Sequence, residues 1–237
     1  MKILITSGGT TVPIDPVRTI SNSSTGRFGA KLARCALIAN QEVIYLVSNQ
    51  GQSPFSYSVN FYTEKDIQNT MHELTQLYQF TEQYKEHYHE HRYHHFDEYQ
   101  TLLQSILEKE QPDIVILAAA VSDYLVDYAP FKVRSSTDLT LQLKKAPKLI
   151  HSVKQWATNC FLVGFKLLVN ATDDELILAA QQSIMHNDAD LVIANDLASI
   201  KQGEHEVIMV ERNGSLQKYT DNIATTIIER SLKRWDT

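Results

Sequence analysis

The chain alternates short apolar runs with longer amphipathic segments. Continuous apolar runs at residues 2–6, 43–47, 113–118, 160–165 and 190–194 have the length and content of buried strands. Segments between them, such as the alanine-rich residues 29–39, have the composition and spacing of helices. This alternation predicts an α/β, Rossmann-like fold, in which a mostly parallel sheet is covered by helices on both faces.

The C-terminal part adds a different element. The apolar run at residues 207–210 and the segment at residues 216–219 flank Asn213 and Gly214, a pair that strongly indicates a β-hairpin. A further half-buried strand is predicted at residues 59–62 by alternation. We find no repeat, low-complexity tract or linker, and therefore expect residues 1–237 to form a single domain.

Residues 64–110 are predicted to be an acidic, histidine-rich helical insertion. They contain ten acidic and four basic residues, whereas acids and bases balance in the rest of the chain. His87, His91 and His95 are four residues apart, which on a helix is a spacing capable of binding a metal. The simpler interpretation is a solvated acidic helix, so the role of this segment stays open.

Composition restricts the classes of partner. The formal net charge of −6 leaves no domain-wide basic face, which argues against nucleic acid. No apolar run approaches the roughly 18 residues of a membrane span. Cys35 and Cys160 are far apart and suggest a reducing compartment, so we expect a cytoplasmic protein that binds no membrane.

Glycine marks the candidate site. Four of the eight glycines, Gly8, Gly9, Gly26 and Gly29, lie in the first thirty residues on either side of a polar loop. Backbone N–H groups at such turns and at helix N-termini are free donors that attract phosphate. In a parallel sheet the strand ends meet at one edge, where ligands bind. The sequence therefore predicts a nucleotide or phosphate ligand at this edge.

General interpretations of these glycines also remain open. They would serve only as turns in a purely structural interpretation. An NAD(P)-dependent Rossmann-type reductase is disfavoured, because residues 7–10 lack the G-x-G-x-x-G spacing. The second predicted strand also ends in Ser48 and Asn49, without the acidic residue that binds a ribose.

Five motifs in order along the chain carry a resemblance to a known family. They are residues 7–10, 15–29, 118–124, 164–167 and 194–197. Together they resemble phosphopantothenate–cysteine ligases, also called phosphopantothenoylcysteine synthetases, over nearly the whole chain. The chain looks like the stand-alone form, without the flavin-dependent decarboxylase module. The resemblance implies a ligase of coenzyme A biosynthesis that joins 4'-phosphopantothenate to L-cysteine through an acyl-nucleotidylate, with release of pyrophosphate.

The resemblance also implies roles for individual residues. Asn22 would promote turnover of the acyl intermediate, Arg18 would hold the carboxylate or phosphate of the pantetheine substrate, and Lys132 would stabilise the first transition state. Ala120 would complete this catalytic set and leave room for the nucleoside. The implied nucleotide-binding residues are Gly9, Ser24, Gly26, Gly29, Ala119, Asp123, Lys132, Pro147, Lys148, Phe165, Lys166 and Asn195.

The family further implies a homodimer that uses a nucleoside triphosphate with Mg²⁺, although the resemblance assigns no metal ligand. Relatives carry lysines on the helix after Gly164, where this chain has Gln182 and His186. This departure leaves the choice between CTP and ATP open, with the stand-alone form favouring CTP. It also motivates an alternative, a non-catalytic relative that binds nucleotide.

Overall fold

The structure, a computed structural model, describes residues 1–57, 63–136, 138–202 and 206–233. The strands, in chain order, are β1 (Lys2–Ser7), β2 (Thr11–Pro13), β3 (Thr19–Ser21), β4 (Glu42–Ser48), β5 (Tyr88–Tyr93), β6 (Ile114–Leu117), β7 (Tyr124–Val126), β8 (Leu143–Lys145), β9 (Phe161–Leu168), β10 (Leu191–Asp196), β11 (Val207–Glu211) and β12 (Leu216–Tyr219). The helices are α1 (Arg27–Ile38), α2 (Glu64–Tyr84), α3 (Phe96–Glu110), α4 (Val153–Trp156), α5 (Asp173–Asn187), α6 (Leu197–Gln202) and α7 (Ile223–Lys233). Lys85–His87 and Leu149–Ser152 form 3-10 turns.

Eight strands form the central sheet in the order β12-β11-β10-β9-β6-β1-β4-β5. All pairs from β10 to β5 are parallel, while β11 and β12 add an antiparallel hairpin at one edge. Two small antiparallel pairs, β2 with β3 and β7 with β8, lie outside this sheet. The mostly parallel sheet and the C-terminal hairpin were both predicted, and both are confirmed.

Helices cover both faces of the sheet. Successive residues of a strand point to opposite faces, so Leu4 and Ile5 of β1 belong to different apolar clusters. One cluster contains residues of α1 and α7, which pack against each other. The other cluster contains residues of α3 and α5. Strands buried on both faces explain the continuous apolar runs of the sequence.

The prediction that residues 64–110 are helical throughout is wrong. Residues 88–93 form β5, which pairs in parallel with β4 at the edge of the sheet. Tyr93 is fully buried at one end of the strand, and Tyr88 packs near Tyr45 at the other. The four residues between them are exposed, because an edge strand tolerates and often favours charged side chains. Their polarity concealed the strand.

The new strand also removes the basis for a histidine metal site. His87 ends a 3-10 turn, His91 lies in β5 and His95 follows it, so they do not share one helix face. The strand predicted at residues 59–62 lies outside the described residues. In the described part of the chain, β5 is the strand that pairs with β4 on the side away from β1.

The chain changes direction across the sheet between β1 and β6. β1 pairs with β4 on one side, which the chain reaches through α1, and with β6 on the other, which it reaches from β5 through α3, so the connections run in opposite directions on the two sides of β1. Such a point creates a crevice at the carboxyl edge of a doubly wound sheet.

No helix within the described ranges is both long and apolar enough to cross a bilayer.

Candidate active site

The loops that follow β1 and β6 join side by side at this crevice. The Ala120 N–H donates to the Gly8 carbonyl at 2.8 Å, and the Thr10 N–H donates to the Ala120 carbonyl at 3.1 Å. Gly9 and Ala120 thereby form a parallel bridge beyond the ends of their strands. Gly8 has a φ of +80°, which glycine adopts without strain. The first glycine turn is therefore a fixed backbone platform.

Asn22 lies directly against this platform. Its carbonyl is so close to Gly9 that a Cβ at position 9 would overlap it. The side-chain Nδ2 donates to the Val121 carbonyl at 3.3 Å, and Oδ1 accepts from the Ser122 hydroxyl at 3.1 Å. Because both ends of the amide have partners, its orientation is defined.

Buried hydroxyls support the Asn22 amide from behind. The Thr10 hydroxyl donates to Ser122 Oγ at 3.0 Å, and the Ser122 N–H donates to Thr10 Oγ1 at 2.9 Å. Thr10 and Ser122 are both buried. With its oxygen accepting from Thr10, the Ser122 hydroxyl directs its own proton to Asn22. Sequence reasoning assigned neither residue a role.

The second glycine pair shapes the start of α1. Gly26 has a φ of +72°, and its carbonyl accepts the Ser7 hydroxyl at 3.1 Å. A Cβ at Gly29 would overlap that same hydroxyl. Glycine thus lets the helix begin directly against the end of β1. The first turn of α1 contains no acidic residue, so its N–H groups and dipole favour an anion near the exposed Ser24.

Arg18 is held by the buried carboxylate of Asp15. Arg18 Nη1 lies 2.8 Å from Asp15 Oδ2, and Asp15 Oδ1 accepts from the N–H groups of Val17 and Arg18 at 2.8 Å each. The Val133 N–H donates to Oδ2 at 3.1 Å. Burial by itself raises the pKa of Asp15, but these N–H donors and the charge of Arg18 outweigh it and hold the pKa below its ordinary value. Asp15 is therefore ionised at neutral pH.

Three cationic side chains border one cavity beside Asp15. The cavity has a volume of about 460 Å³ and is lined by Arg18, Lys132, Val133, Arg134, Ser135 and Ser136. Arg18 Nη1 also donates to the Val133 carbonyl at 3.0 Å, which places the flanking Lys132 and Arg134 at the same opening. Such a concentration of positive charge suits an anionic substrate. Arg18 and Lys132 were predicted site residues, whereas Arg134 was not.

Asp123 and Lys148 form an ion pair beyond the end of β6. Their side chains are 64% and 58% exposed, so both are accessible to a ligand. The Ala119 N–H donates to Thr6 Oγ1 at 3.3 Å, which fixes the backbone leading to Asp123. Pro147, the neighbour of Lys148, is exposed. The structure thus brings these predicted nucleotide-binding residues to one side of the crevice.

Phe165, Lys166 and Asn195 lie towards the carboxyl ends of β9 and β10. Phe165 packs edge-on against Phe28 of α1, with ring centroids 5.8 Å apart. Lys166 is half-buried and, by strand alternation, points to the opposite face. Asn195 is half-buried and pairs in register with Leu167. Of these three, Phe165 is the one in direct contact with the helix that carries Gly29.

The architecture and the glycine platform agree with a comparison against known families. The sequence profile of the DNA/pantothenate metabolism flavoprotein C-terminal domain matches residues 1–82 and 83–233. The chain belongs to this family.

The relatives that this chain matches include a bifunctional protein and a single-function ligase. The coenzyme A biosynthesis bifunctional protein CoaBC of Thermococcus kodakarensis is 32% identical over 214 residues, covering 90% of this chain and 45% of that protein. Phosphopantothenate–cysteine ligase 2 of Oryza sativa subsp. japonica is 30% identical over 238 residues, covering 90% of this chain and 72% of the relative. The chain thus spans about half the length of the bifunctional relative and most of the plant one.

A solved structure extends the similarity to the whole described fold. A Cab2 mutant in complex with phosphopantothenate-cysteine superposes with a TM-score of 0.81 at 26% identity. The match covers 99% of this chain and 86% of the other. The doubly wound sheet of this flavoprotein C-terminal domain is therefore shared with a protein solved in complex with phosphopantothenate-cysteine.

The site of this family member offers few ligands for a resident metal. Among the described residues, no three His, Cys, Asp or Glu side chains group closely enough to hold a metal ion. Mg²⁺ in nucleotide-dependent enzymes is bound mainly by phosphate oxygens and water, with one or two carboxylates. The exposed carboxylate of Asp123 meets that requirement. The residues therefore fit Mg²⁺ that arrives with a triphosphate.

The two positions at which the chain departs from the lysines that the resemblance led us to expect lie on α5. Gln182 and His186 are exposed, and His186 Nδ1 is 2.7 Å from the Gln182 carbonyl. Since α5 returns from the carboxyl edge after β9, His186 in its last turn lies towards the opposite edge. The departure at His186 therefore lies away from the crevice.

A larger cavity, of about 950 Å³, lies at the opposite edge of the sheet, where β9 and β10 begin. Four of its charged groups pair with one another, since Arg230 donates to Glu211 and Arg212 Nε lies 3.7 Å from Asp190 Oδ1. It contains none of the residues that family resemblance implicates. We therefore take the carboxyl edge as the candidate active site, on chemistry rather than on volume.

The edge strand β5 also reaches the site, which the sequence did not indicate. The Tyr93 hydroxyl donates to the Ser7 carbonyl at 2.7 Å, and burial raises the pKa of Tyr93 above its ordinary value. The Thr11 hydroxyl donates to the His94 carbonyl at 2.7 Å. The histidine-rich segment thus ends by bracing the first glycine turn.

Proposed function

We propose that the chain is a phosphopantothenate–cysteine ligase of coenzyme A biosynthesis. It joins 4'-phosphopantothenate to L-cysteine through an acyl-nucleotidylate and releases pyrophosphate. The observation that carries the proposal is the Asn22 amide, held in one orientation against the glycine platform, in the same loop as an Arg18 that shares a cavity with Lys132. Relatives named as phosphopantothenate–cysteine ligases support it.

The first half-reaction requires stabilisation of negative charge rather than a nucleophilic side chain. A carboxylate oxygen of phosphopantothenate attacks the α-phosphorus of a nucleoside triphosphate, and the bond to pyrophosphate breaks. Arg18 orients the anionic substrate, while Lys132 and the N–H groups at the start of α1 stabilise the phosphate oxygens. Asp123 and Lys148, with Pro147, Phe165, Lys166 and Asn195, border the nucleotide.

The second half-reaction uses the acyl carbonyl. The cysteine amine attacks the carbonyl carbon, a C–N bond forms, and the nucleoside monophosphate leaves with its oxygen as the amine loses a proton to water. The Asn22 amide donates to the carbonyl oxygen as that oxygen becomes negative. Ala119 and Ala120 present small side chains and leave room for the leaving nucleotide. Neither step needs a strong base, which explains a site built from amides, hydroxyls and cations.

The nucleotide and the metal are the finer parts of this proposal. We expect CTP to be used in preference to ATP, with Mg²⁺ neutralising the triphosphate as it binds. We also expect a cytoplasmic homodimer, as the family resemblance implies. Light scattering on the purified chain tests the dimer, and an intact monomer that remains active would contradict it.

Neither alternative gains support from the geometry. A nicotinamide-dependent reductase needs an acidic residue at the end of β4, where Ser48 and Asn49 stand. A non-catalytic relative was suggested by Gln182 and His186, but His186 lies in the last turn of α5, towards the edge of the sheet opposite the crevice.

A pyrophosphate-release assay tests the proposal. We expect release only when phosphopantothenate and Mg²⁺ are present, faster with CTP than with ATP, and ligated product only when cysteine is added. EDTA in excess over Mg²⁺ should stop the reaction. If neither nucleotide supports pyrophosphate release or product formation, the proposed function is wrong.

Asn22→Asp provides the matched variant. It replaces the donating amide with a carboxylate that repels the developing oxyanion, so we expect product formation to fall by about a hundredfold or more while pyrophosphate release is less affected. Asn159→Asp introduces the same change at an exposed position and serves as the control. Equal activity of the two variants would remove Asn22 from the mechanism.

A further inference from the structure

A short arm lies beside the loop that carries Asp15 and Arg18. Residues 127–136, which we call the arm, follow β7 and are tied to the loop of residues 14–22 at two points. The Ala129 N–H donates to the Ile14 carbonyl at 2.9 Å, and Val133 contacts Asp15 and Arg18 through its own backbone. Val133 makes the more extensive of these contacts, because both its N–H and its carbonyl form hydrogen bonds.

The carboxylate of Asp15 is the centre of this junction. Its side chain has no exposed surface, and its two oxygens accept four hydrogen bonds. Two come from its own loop, one from the arm and one from the Arg18 guanidinium. A carboxylate offers about four acceptor positions, so all of its capacity is used. An asparagine at position 15 would place its NH₂ group against one of the two pairs of donors, so those two hydrogen bonds could not form.

Arg18 links Asp15 to the arm a second time. Its Nη1 lies 2.8 Å from Asp15 Oδ2 and 3.0 Å from the Val133 carbonyl. Lys132 and Arg134 flank Val133 in the chain, and both line the cavity that Arg18 also lines. Holding Val133 therefore keeps two further cations beside Arg18.

We propose that Asp15 is a positioning residue that docks the arm, and with it Lys132 and Arg134, beside Arg18. Asp15 touches no substrate, since it is buried behind Arg18, and it acts through the residues it holds. The site thereby gathers three positive charges around one cavity, where the anionic group of a phosphate-bearing substrate binds. The assignment of that substrate rests on the proposed function, whereas the docking of the arm does not.

Trypsin provides a test that does not depend on activity, because it cleaves after Lys132 and Arg134. In the wild-type protein the docked Val133 should protect both bonds. In Asp15→Asn we expect cleavage within residues 132–136 to become about tenfold faster or more, since charge-assisted hydrogen bonds are lost. Asp127→Asn makes the same charge change in the arm at an exposed carboxylate paired with Lys144, and should cleave at the wild-type rate.

Peptide mapping separates positioning from general destabilisation. Positioning predicts accelerated cleavage in the arm and after Arg18, the residues that Asp15 holds, with unchanged cleavage elsewhere. A second variant, Arg134→Gln, tests the cations while leaving Asp15 intact. It should raise the KM for the triphosphate or for phosphopantothenate several-fold and leave the KM for cysteine unchanged, as should Asp15→Asn.

The results distinguish the two proposals. If the arm of Asp15→Asn is cleaved no faster than that of Asp127→Asn, or if cleavage rises equally throughout the chain, Asp15 does not position the arm. If the arm is released selectively but the wild-type protein makes no pyrophosphate, the positioning role stands and the proposed function fails. Selective release together with the KM change supports both.

Discussion

The hydroxyl of Ser122 donates a 3.1 Å hydrogen bond to Oδ1 of Asn22, across a separation of one hundred residues in the chain. Together with the bond from Nδ2 to the Val121 carbonyl, this contact fixes the orientation of the Asn22 amide. Without it, the Val121 carbonyl alone would hold the amide, and the donor would point less reliably at a substrate oxygen.

Ser122→Ala should therefore lower turnover without abolishing folding. Loss of the hydrogen bond to Asn22 corresponds to about 1 kcal/mol, or roughly a five- to tenfold lower kcat for product formation, whereas loss of the acceptor for the buried Thr10 hydroxyl lowers stability. The KM for the nucleotide should change little, because Ser122 is buried behind Asn22. Steady-state kinetics measure both quantities, with Ser215→Ala in the C-terminal hairpin as the control. An unchanged kcat would show that the amide orients itself without Ser122.

The packing of Gly29 on Ser7 predicts a sharp difference between two glycines. Gly29→Ala places a Cβ where the Ser7 hydroxyl lies, so α1 must move and stability should fall by about 1–3 kcal/mol. Gly164→Ala places a Cβ 3.4 Å from Ile150 Cδ1, an ordinary contact, and should be much milder. Denaturant unfolding compares the two.

Nucleotide binding should separate these variants further. Gly29→Ala displaces the start of α1 and should weaken triphosphate binding about tenfold, whereas Gly164→Ala should leave it near the wild-type value. Equal affinities would mean that the helix start does not contact the phosphates.

The ion pair of Asp123 and Lys148 should matter for binding but not for stability. Exposed pairs contribute about 0–1 kcal/mol to folding, so Lys148→Met should leave the midpoint of thermal unfolding nearly unchanged. The KM for the nucleotide should rise about tenfold, because a phosphate-binding cation is lost. Lys144→Met, which breaks the equally exposed pair with Asp127, is the matched control. A similar KM for both variants would exclude Lys148 from the nucleotide site.

The lowered pKa of Asp15 predicts a pH dependence of stability. Its ordinary value is 3.8, and the folded value lies below that, so ionised Asp15 stabilises the folded state fully above about pH 4. This contribution is lost as the pH falls through the folded pKa, while Arg18, the charged partner that faces Asp15, keeps its charge. The difference in unfolding midpoint between wild type and Asp15→Asn should be constant from about pH 7 to about pH 5 and shrink below about pH 4. A difference that stays constant to about pH 3 would contradict the assignment.

The predictable parts of the molecule were those that depend on local sequence. The apolar runs of β1, β6 and β10 and the turn at Asn213 and Gly214 each carry their own signal, and the structure confirms them. Five short motifs, read in order, were enough to indicate the family, and the profile match confirms it.

The parts that the sequence did not predict depend on contacts between residues far apart in the chain. Tyr93 is the one fully buried residue of β5, so four exposed polar residues outweighed it in the pattern. Thr10 bonds Ser122 across 112 residues, and Asp15 bonds Val133 across 118, distances at which no sequence pattern specifies a partner. The motif that contains Asp15 was recognised, yet only the folded chain shows what its carboxylate holds.

The Tyr93 hydroxyl crosses from the edge of the sheet to the Ser7 carbonyl, one residue before the first glycine turn. Edge strands are ordinarily the first to fray, and their amide protons exchange soonest with solvent. Here fraying of β5 requires release of the Ser7 carbonyl. Opening of this edge strand and loosening of the glycine platform are therefore one event. A ligand that steadies the platform should consequently slow amide exchange along β5, two strands away from where it binds.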